Sequence, residues 1–325
     1  MPTMPTMPEP VKISTNGITL AVYEAGPKDG LPVILCHGFP ELAYSWRRQI
    51  PALAAAGCRV ICPDQRGYGG SDKPSAVHDY SIQHLTGDLV GLLDHYGIER
   101  AVFIGHDWGG LVVWQVPLLH PDRVAGVAGV GVPFIPRAAE DPIVTFRRMW
   151  GDRMYIVNFQ DSQEADAVFD ADPYRVFDVL LRKNPLSLEA FAQLPHEDRV
   201  PDIVKRVRTG PGTGERIVSE EEQRFYADTF AKAGFTGPIN WYRNWSENWA
   251  STAQIEQRIR VPALFIEAGN DLATAAIPDV AKLMDGHVDD LEIQRVPDSG
   301  HWIQQEYPEE VNRFLIDWLE RRFMD

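Results

Sequence analysis

The chain has 325 residues and a formal net charge of −15, with 44% apolar and 24% charged residues. These values are those of a folded globular protein long enough to bury a sizeable core, and they exclude a disordered chain. The negative charge argues against nucleic acid or an anionic membrane surface as the main partner.

The chain begins with "MPTMPTMPEP", residues 1 to 10, which contain no Lys, no Arg and no apolar stretch. We therefore expect a flexible N-terminus and neither a signal peptide nor a membrane anchor. The three cysteines, Cys36, Cys58 and Cys62, lie in or beside apolar runs and lack metal-like spacing, which favours buried, reduced thiols. The sequence predicts a cytoplasmic protein that does not span a membrane.

From Val11 to Arg137, short apolar runs alternate with longer helical patterns. "ITLAVYEAG" alternates like a strand after the Asn16-Gly17 turn. The near-continuous runs are typical of strands buried on both faces: "PVILCHG", "RVICPD", "RAVFIGH" and "VAGVAGVGV". Among the helical patterns, "SIQHLTGDLVGLLDHYG" has a capping Ser81 and ends at Gly97. This alternation predicts an α/β fold with a mostly parallel sheet.

From residue 138 to 250 the strand pattern is replaced by helical windows, such as "SQEADAVFD" and "SEEEQRFYADTFAKAG". Strands return in "PALFIEAG" and "LEIQRVPD", and the chain closes on the amphipathic helix "PEEVNRFLIDWLERRF". We therefore predict a core domain in two pieces, 11–137 and 251–325. In this core a mostly parallel central sheet is flanked by helices, and 138–250 forms an inserted helical cap.

Several predicted strands end in polar residues suited to catalysis. Ligands of α/β proteins lie at the carboxyl ends of the strands, so these positions are the candidate site. "PVILCHGFPE" ends in the segment 37–40, "AVFIGHDWGG" in Asp107, "ALFIEAGND" in Asp271 and "IQRVPDSGHW" in His301. The order nucleophile, acid, histidine is that of the α/β-hydrolase triad.

Each of these residues also has a structural interpretation. Asp107 could cap the helix that follows it, Asp271 could be a turn residue, and His301 could be an interior histidine. The glycines around Asp107, at positions 105, 109 and 110, instead favour a strained turn that needs small neighbours. The order and spacing of the three residues together favour catalysis. Neighbouring His37 and His106 are interpreted as structural.

The motifs resemble the α/β-hydrolase-fold epoxide hydrolases, of the soluble epoxide hydrolase type, from about residue 15 onward. The residues that carry the resemblance are "HGFPE", "DQRGYGGSDKP", "GHDWGG", "HPDRV", "VPFIP" and "SGHW". "HGFP" and the strained turn are shared with dehalogenases and esterases. An Asp nucleophile with paired cap tyrosines is found in a much narrower set of proteins. The resemblance implies conversion of an epoxide and water to a vicinal diol.

The resemblance also implies roles for single residues. Tyr155, in "MYIVNFQ", and Tyr242, in "NWYRNW", would donate hydrogen bonds to the epoxide oxygen, although either alone could be a packing aromatic. The backbone N–H groups of Phe39 and Trp108 would form an oxyanion hole, and a cis bond is expected before Pro40. Some relatives carry the triad acid after the preceding strand, but no Asp or Glu lies between residues 124 and 137.

That absence favours Asp271 as the acid, with Asn270 and Glu267 left as alternatives. A carboxylate suits attack on a saturated epoxide carbon because it is ionised at neutral pH without a base. The product of that attack is an ester on Asp107. His301, oriented by the acid, would then activate the water that hydrolyses the ester.

The expected substrate is a small apolar epoxide, with water as the second reactant. The aromatic residues of the predicted site favour an apolar pocket: Phe39, Trp108, Phe134 and Trp302. No dinucleotide fingerprint and no metal-ligand spacing occur, so we expect no cofactor and no metal. The sequence leaves open whether the protein is a monomer or a homodimer.

Two other functions were weighed. A haloalkane dehalogenase also uses an Asp nucleophile, and Trp108 could hold a halide, but Phe39 offers no side-chain N–H as a second donor. A non-catalytic small-molecule binding protein of the same fold would be expected to lack a catalytic part. Nucleophile, acid, base and both tyrosines are all present here.

Overall fold

The computed structural model describes residues 7–161, 163–184, 186–274, 277 and 279–324. The first six residues of the predicted flexible N-terminus therefore lie outside the described residues. The chain divides into two compact units. The core unit comprises the chain up to Asp72, Ile82–Pro136, and the chain from Ile255 on. The helical unit comprises Lys73–Ser81 and Arg137–Gln254.

The strands of the core unit follow the apolar runs of the sequence. They are β1 (Val11–Thr15), β2 (Ile18–Ala25), β3 (Leu31–Cys36), β4 (Cys58–Asp64), β5 (Ala101–His106), β6 (Val124–Val130), β7 (Ala263–Ala268) and β8 (Leu291–Val296). Every residue of β5 is buried, which explains why its sequence shows no alternation. The free thiols of Cys36, Cys58 and Cys62 are buried too, as their apolar surroundings predict.

The strands form one sheet in the order β1-β2-β4-β3-β5-β6-β7-β8. β1 with β2 and β2 with β4 are antiparallel, whereas all pairs from β4 to β8 are parallel. The predicted α/β fold with a mostly parallel sheet is confirmed. Because the parallel strands run in one direction, the residues that follow β3, β5, β7 and β8 lie at one edge of the sheet.

The α-helices of the described chain are, in order, α1 (Gln49–Ala55), α2 (Ile82–Tyr96), α3 (Trp108–Leu119), α4 (Pro142–Trp150), α5 (Tyr155–Asp161), α6 (Glu164–Ala171), α7 (Pro173–Leu180), α8 (Leu188–Ala192), α9 (His196–Arg199), α10 (Ile203–Thr209), α11 (Glu220–Ala233), α12 (Thr236–Arg243), α13 (Trp245–Ser251), α14 (Val280–Met284), α15 (Ile303–Glu306) and α16 (Pro308–Phe323). Helices α4 to α13 belong to the helical unit and the others to the core unit. None of those in the described ranges has the length and apolarity needed to cross a membrane.

Residues 73–81 group with the helical unit, although the sequence analysis assigns them to the core. The Asn244 side chain, between α12 and α13, donates a hydrogen bond to the carbonyl of Val77 at 2.5 Å. This bond joins positions 167 residues apart, so a local pattern could not reveal it. The rest of the helical unit runs from Arg137 to Gln254, whereas the bounds predicted for the cap are 138 and 250.

Candidate active site

Asp107 lies on a sharp turn between β5 and α3. Its backbone has φ 52° and ψ −122°, in the left-handed half of conformational space that non-glycine residues rarely adopt. Such a conformation costs about 1–3 kcal/mol and is found mainly at functional sites. The Asp107 side chain makes no capping hydrogen bond to α3, all of whose residues are described. A helix cap therefore does not account for this aspartate.

The turn depends on glycines that allow close approach. A Cβ atom on Gly38 would lie 2.3 Å from Oδ1 of Asp107, and one on Gly105 would lie 2.2 Å from the carbonyl oxygen of Gly109. Both distances are too short for any side chain. The small neighbours that the sequence pattern required for a strained turn are thus needed on both sides of Asp107.

The three residues predicted at the strand ends are brought together. The ring nitrogen Nδ1 of His301 lies 3.0 Å from Oδ2 of Asp271, and Nε2 lies 3.6 Å from Oδ2 of Asp107. Asp271 is 1% exposed, and its other oxygen accepts the N–H of Ala273 at 2.8 Å. The alternative acid Glu267 pairs instead with Arg295 at 3.4 Å.

The segment after β3 contacts the Asp107 carboxylate directly. The backbone N–H of Phe39 donates to Oδ1 of Asp107 at 2.7 Å, and the expected cis bond between Phe39 and Pro40 is present. Trp108 is the first residue of α3, next to Asp107. An N–H group that already binds a carboxylate oxygen can also stabilise an oxyanion formed from the same carboxyl carbon.

The charges in this cluster oppose the effect of burial on the pKa values of Asp107 and His301. Burial alone would raise the pKa of Asp107, but the contact with His301, the charge of His106 and the Phe39 N–H together lower it. Burial would lower the pKa of His301, yet Asp271 and Asp107 raise it well above its ordinary value. The contacts of this cluster therefore favour the ionised form of Asp107 and the protonated form of His301.

Glu41 and His106 form a fully buried pair that contacts the backbone of His301. His106 Nδ1 is 2.9 Å from Oε2 of Glu41, and His106 Nε2 is 2.7 Å from the carbonyl oxygen of His301. Since a carbonyl only accepts, Nε2 must carry a proton. Glu41 also accepts N–H groups from Gln304 at 3.0 Å and Gln305 at 2.7 Å, so both of its side-chain oxygens are hydrogen-bonded within this buried cluster.

Glu306, on α15, binds the backbone on both sides of His301. Its two carboxylate oxygens accept the backbone N–H groups of Gly300 at 3.1 Å and Trp302 at 3.0 Å, the residues on either side of His301. With the bond from His106, three side-chain contacts thus fix the backbone at and around His301.

The sequence patterns indicate no role for Glu41 or Glu306 and only a structural role for His106. Glu41 belongs to the quoted motif "HGFPE" and is followed by "LAYSW", an apolar setting for a carboxylate. A carboxylate in such a setting needs a buried partner, and this was the available signal. The partner itself is 65 residues away and could not be identified from the pattern.

Glu41→Gln is expected to lower the free energy of unfolding by about 1–3 kcal/mol, because an amide cannot accept all the buried hydrogen bonds that the two side-chain oxygens of Glu41 make. Urea denaturation followed by circular dichroism measures this change. Glu140→Gln, which breaks an exposed pair with Arg148, serves as the control and should leave the urea midpoint unchanged. Equal midpoints for wild type and Glu41→Gln would contradict a stabilising role of these buried hydrogen bonds.

The two predicted tyrosines lie together in the helical unit. Tyr155 begins α5 and Tyr242 lies in the last turn of α12, with ring centroids 5.6 Å apart. The ring of Phe159 contacts both edge-on, at 5.6 Å from Tyr155 and 5.0 Å from Tyr242. Tyr242 is 2% exposed, whereas Tyr155 is half-buried.

The residues predicted to line the pocket are all buried in the core unit: Phe39, Trp108, Phe134 and Trp302. The Trp302 ring lies 4.7 Å from that of His301, so it belongs to the cluster. Phe134 packs against Trp114 at 6.2 Å and His287 at 6.1 Å, and its role in substrate binding stays a prediction. Among the described residues, no group of His, Cys, Asp or Glu is arranged to hold a metal ion.

The chain is similar to known proteins of one family. A model of the α/β hydrolase fold family matches residues 32–308. The chain is 44% identical to epoxide hydrolase A of Mycobacterium tuberculosis, over 94% of this chain and 96% of that protein. The crystal structure of epoxide hydrolase A from Mycobacterium thermoresistibile is similar with a TM-score of 0.85 and 42% identity, covering 96% and 98% of the chains. An epoxide hydrolase from an endophytic Streptomyces has a TM-score of 0.86 and 33% identity, with 96% and 95% covered.

Proposed function

Because the chain belongs to the epoxide hydrolases of the α/β hydrolase fold, we propose that it converts an epoxide to a vicinal diol through an ester on Asp107. The observation that carries the proposal is the Asp107 carboxylate itself. It lies on a strained turn, does not cap α3, and stands 3.6 Å from a histidine that is bound to a second carboxylate. The substrate is a small apolar epoxide, and water is the second reactant.

In the first half of the reaction, an oxygen of Asp107 attacks one carbon of the epoxide ring. A bond forms between this oxygen and the carbon, and the carbon–oxygen bond of the ring breaks. The departing oxygen becomes an alkoxide and takes hydrogen bonds and a proton from the phenols of Tyr155 and Tyr242. Phenols suit this step because they remain protonated, and therefore able to donate, at neutral pH.

In the second half, water attacks the carbonyl carbon of the Asp107 ester. His301 removes a proton from the water while Asp271 fixes the ring and stabilises its charged form. The Phe39 N–H, 2.7 Å from Oδ1 in the free carboxylate, and the N–H of Trp108 stabilise the oxyanion. The acyl carbon–oxygen bond then breaks, and the oxygen released from the ester takes the proton held by His301. The second proton of the water leaves the Asp107 carboxyl group and returns to the phenolate formed in the first half, which restores both the Asp107 carboxylate and the phenol.

This route predicts where the oxygen of water goes. In a single turnover with excess enzyme and water labelled with heavy oxygen, the label should enter the Asp107 carboxylate, because water attacks the ester carbonyl. Styrene oxide serves as the substrate, and mass spectrometry of the peptide that contains Asp107 and of the diol gives the distribution. Label in the diol after one turnover would mean that water attacks the epoxide directly, and the ester would be excluded.

Alkylation of Asp107 should lower the pKa of His301. In the free enzyme two carboxylates raise that pKa well above its ordinary value, and the ester removes the charge of one of them. A base must be neutral, so ester hydrolysis should rise with pH through a midpoint below the pKa of His301 in the free enzyme. Single-turnover rates across pH, compared with an NMR titration of His301, test this order. A kinetic midpoint equal to the pKa of His301 in the free enzyme would contradict the expected lowering of this pKa by the ester.

A further inference from the structure

Two reciprocal side-chain bonds join the helices that carry the tyrosines. Gln160, on α5, donates from Nε2 to the carbonyl of Tyr242 on α12 at 2.8 Å. Arg243, on α12 directly after Tyr242, donates from Nε to the carbonyl of Phe159 on α5 at 3.0 Å. Each helix therefore supplies the donor for a carbonyl of the other.

Both acceptor carbonyls lie in the last turn of their helix. Carbonyls in this turn lack the amide partner four residues on that the helix interior provides, so a side chain can bind them without disrupting the helix. Gln160 also donates to the carbonyl of Ile156 at 2.9 Å, which fixes its amide group on α5. These two bonds, from Gln160 to Tyr242 and from Arg243 to Phe159, hold the C-terminal end of α5 to that of α12. We call them the clamp.

Arg243 is itself held by a third helix. Its Nη2 atom lies 2.6 Å from Oδ2 of Asp166 on α6, and Nη1 donates to Oδ1 of Asn240 at 2.9 Å. The side chains of Arg243 and Asp166 are only 12% and 11% exposed. Each nitrogen of this guanidinium group has a fixed partner, an arrangement that a lysine could not reproduce.

The two carbonyls of the clamp belong to Tyr242 itself and to Phe159, whose ring contacts both tyrosines. Phe159, whose carbonyl accepts from Arg243, contacts both tyrosine rings through its own ring. Tyr242 is held through its own carbonyl. A shift of α5 against α12 would therefore change the 5.6 Å separation of the two tyrosine rings.

We propose that Gln160 and Arg243 are positioning residues, which set the spacing of the two phenols for simultaneous donation to one epoxide oxygen. The proposal rests on the roles given above to Tyr155 and Tyr242. It predicts a selective effect, because the phenols act while the epoxide opens, whereas the later hydrolysis of the ester depends on His301. Loss of the clamp should slow alkylation of Asp107 and leave ester hydrolysis unchanged.

The test uses Arg243→Lys and Gln160→Met, each alone and in a His301→Gln background. Arg243→Lys keeps the positive charge near Asp166 but loses the bond to Phe159, and Gln160→Met keeps the side-chain length but loses both donors. In the His301→Gln background, the growth of esterified protein after addition of styrene oxide reports alkylation alone. We expect alkylation to slow by about 10- to 100-fold in both variants. With His301 intact, single-turnover decay of the ester should keep the wild-type rate.

Arg182→Lys is the matched control. Arg182 is a similarly buried arginine of the helical unit, 14% exposed, which pairs with Asp178 at 2.8 Å and bonds the carbonyl of Gly214 at 2.8 Å. It contacts neither α5 nor α12 through these bonds. Its replacement should therefore perturb packing to a similar degree without moving the phenols.

Tyr155→Phe and Tyr242→Phe complete the set of variants. Slow alkylation in these two, together with control-like alkylation in Arg243→Lys and Gln160→Met, would overturn the clamp and leave the proposed function standing. Unchanged alkylation in all four would overturn the clamp and the roles given to the two tyrosines, whereas the absence of any ester in wild type and variants would overturn the proposed function. Equal slowing of alkylation and ester hydrolysis in the clamp variants would indicate a general loss of structure and would also overturn the clamp.

Discussion

The His301→Gln variant is expected to stop at the ester on Asp107. Glutamine fills the place of the imidazole but cannot remove a proton from water, so the epoxide is opened and the ester remains. Loss of a general base typically costs up to about 10,000-fold, and we expect steady-state diol formation to fall by about 1,000-fold or more. The first half of the reaction should continue at a reduced rate, because Asp107 keeps the Phe39 N–H but loses the His301 contact that lowers its pKa.

Intact-protein mass spectrometry after mixing with styrene oxide measures this directly. The expected product is one adduct per chain, located on the peptide that contains Asp107. His95→Gln, which changes an exposed histidine on α2, is the control and should form diol at the wild-type rate without an adduct. An unmodified His301→Gln protein that forms no diol would mean that His301 is needed before the ester, and the order of steps proposed here would be wrong.

The fold could be predicted because its signals are local. Strand β5 has an uninterrupted apolar sequence because all its residues are buried, and α16 begins and ends where the amphipathic pattern does. The three strand-end residues Asp107, Asp271 and His301 were also predictable. In a parallel sheet, the position just after each strand fixes which side chains come near each other.

The supporting contacts could not be predicted in the same way. The bond from His106 to the His301 carbonyl spans 195 residues, and that from Arg243 to Phe159 spans 84. Neither leaves a periodic pattern, because a single side chain that binds a backbone carbonyl imposes no pattern on its neighbours. The backbone angles of Asp107 were indicated only through its glycine neighbours. The sequence thus indicates which side chains come together, and long-range packing specifies what holds them.

The double variant Tyr155→Phe/Tyr242→Phe should show the largest loss in the first half of the reaction. With one phenol removed, the departing oxygen still has a donor, and we expect alkylation of Asp107 to slow by about 10- to 100-fold. With both removed, an alkoxide would form without any donor from the pair. Removing one preorganised donor to an oxyanion typically costs about 100- to 1,000-fold, so the double variant should lose about 10,000-fold or more.

Growth of the ester in a His301→Gln background gives this rate without interference from hydrolysis. Tyr226→Phe is the control, because Tyr226 is fully buried in the same helical unit and stacks on Phe177 at 5.3 Å, outside the tyrosine pair. A loss in the double variant beyond the product of the single losses would mean that either phenol partly substitutes for the other. Wild-type alkylation in the double variant would mean that the oxygen needs no donor from α5 or α12, as for a halide leaving group. In the proposed mechanism, the pair of tyrosines is therefore the feature that separates epoxide opening from dehalogenation at Asp107.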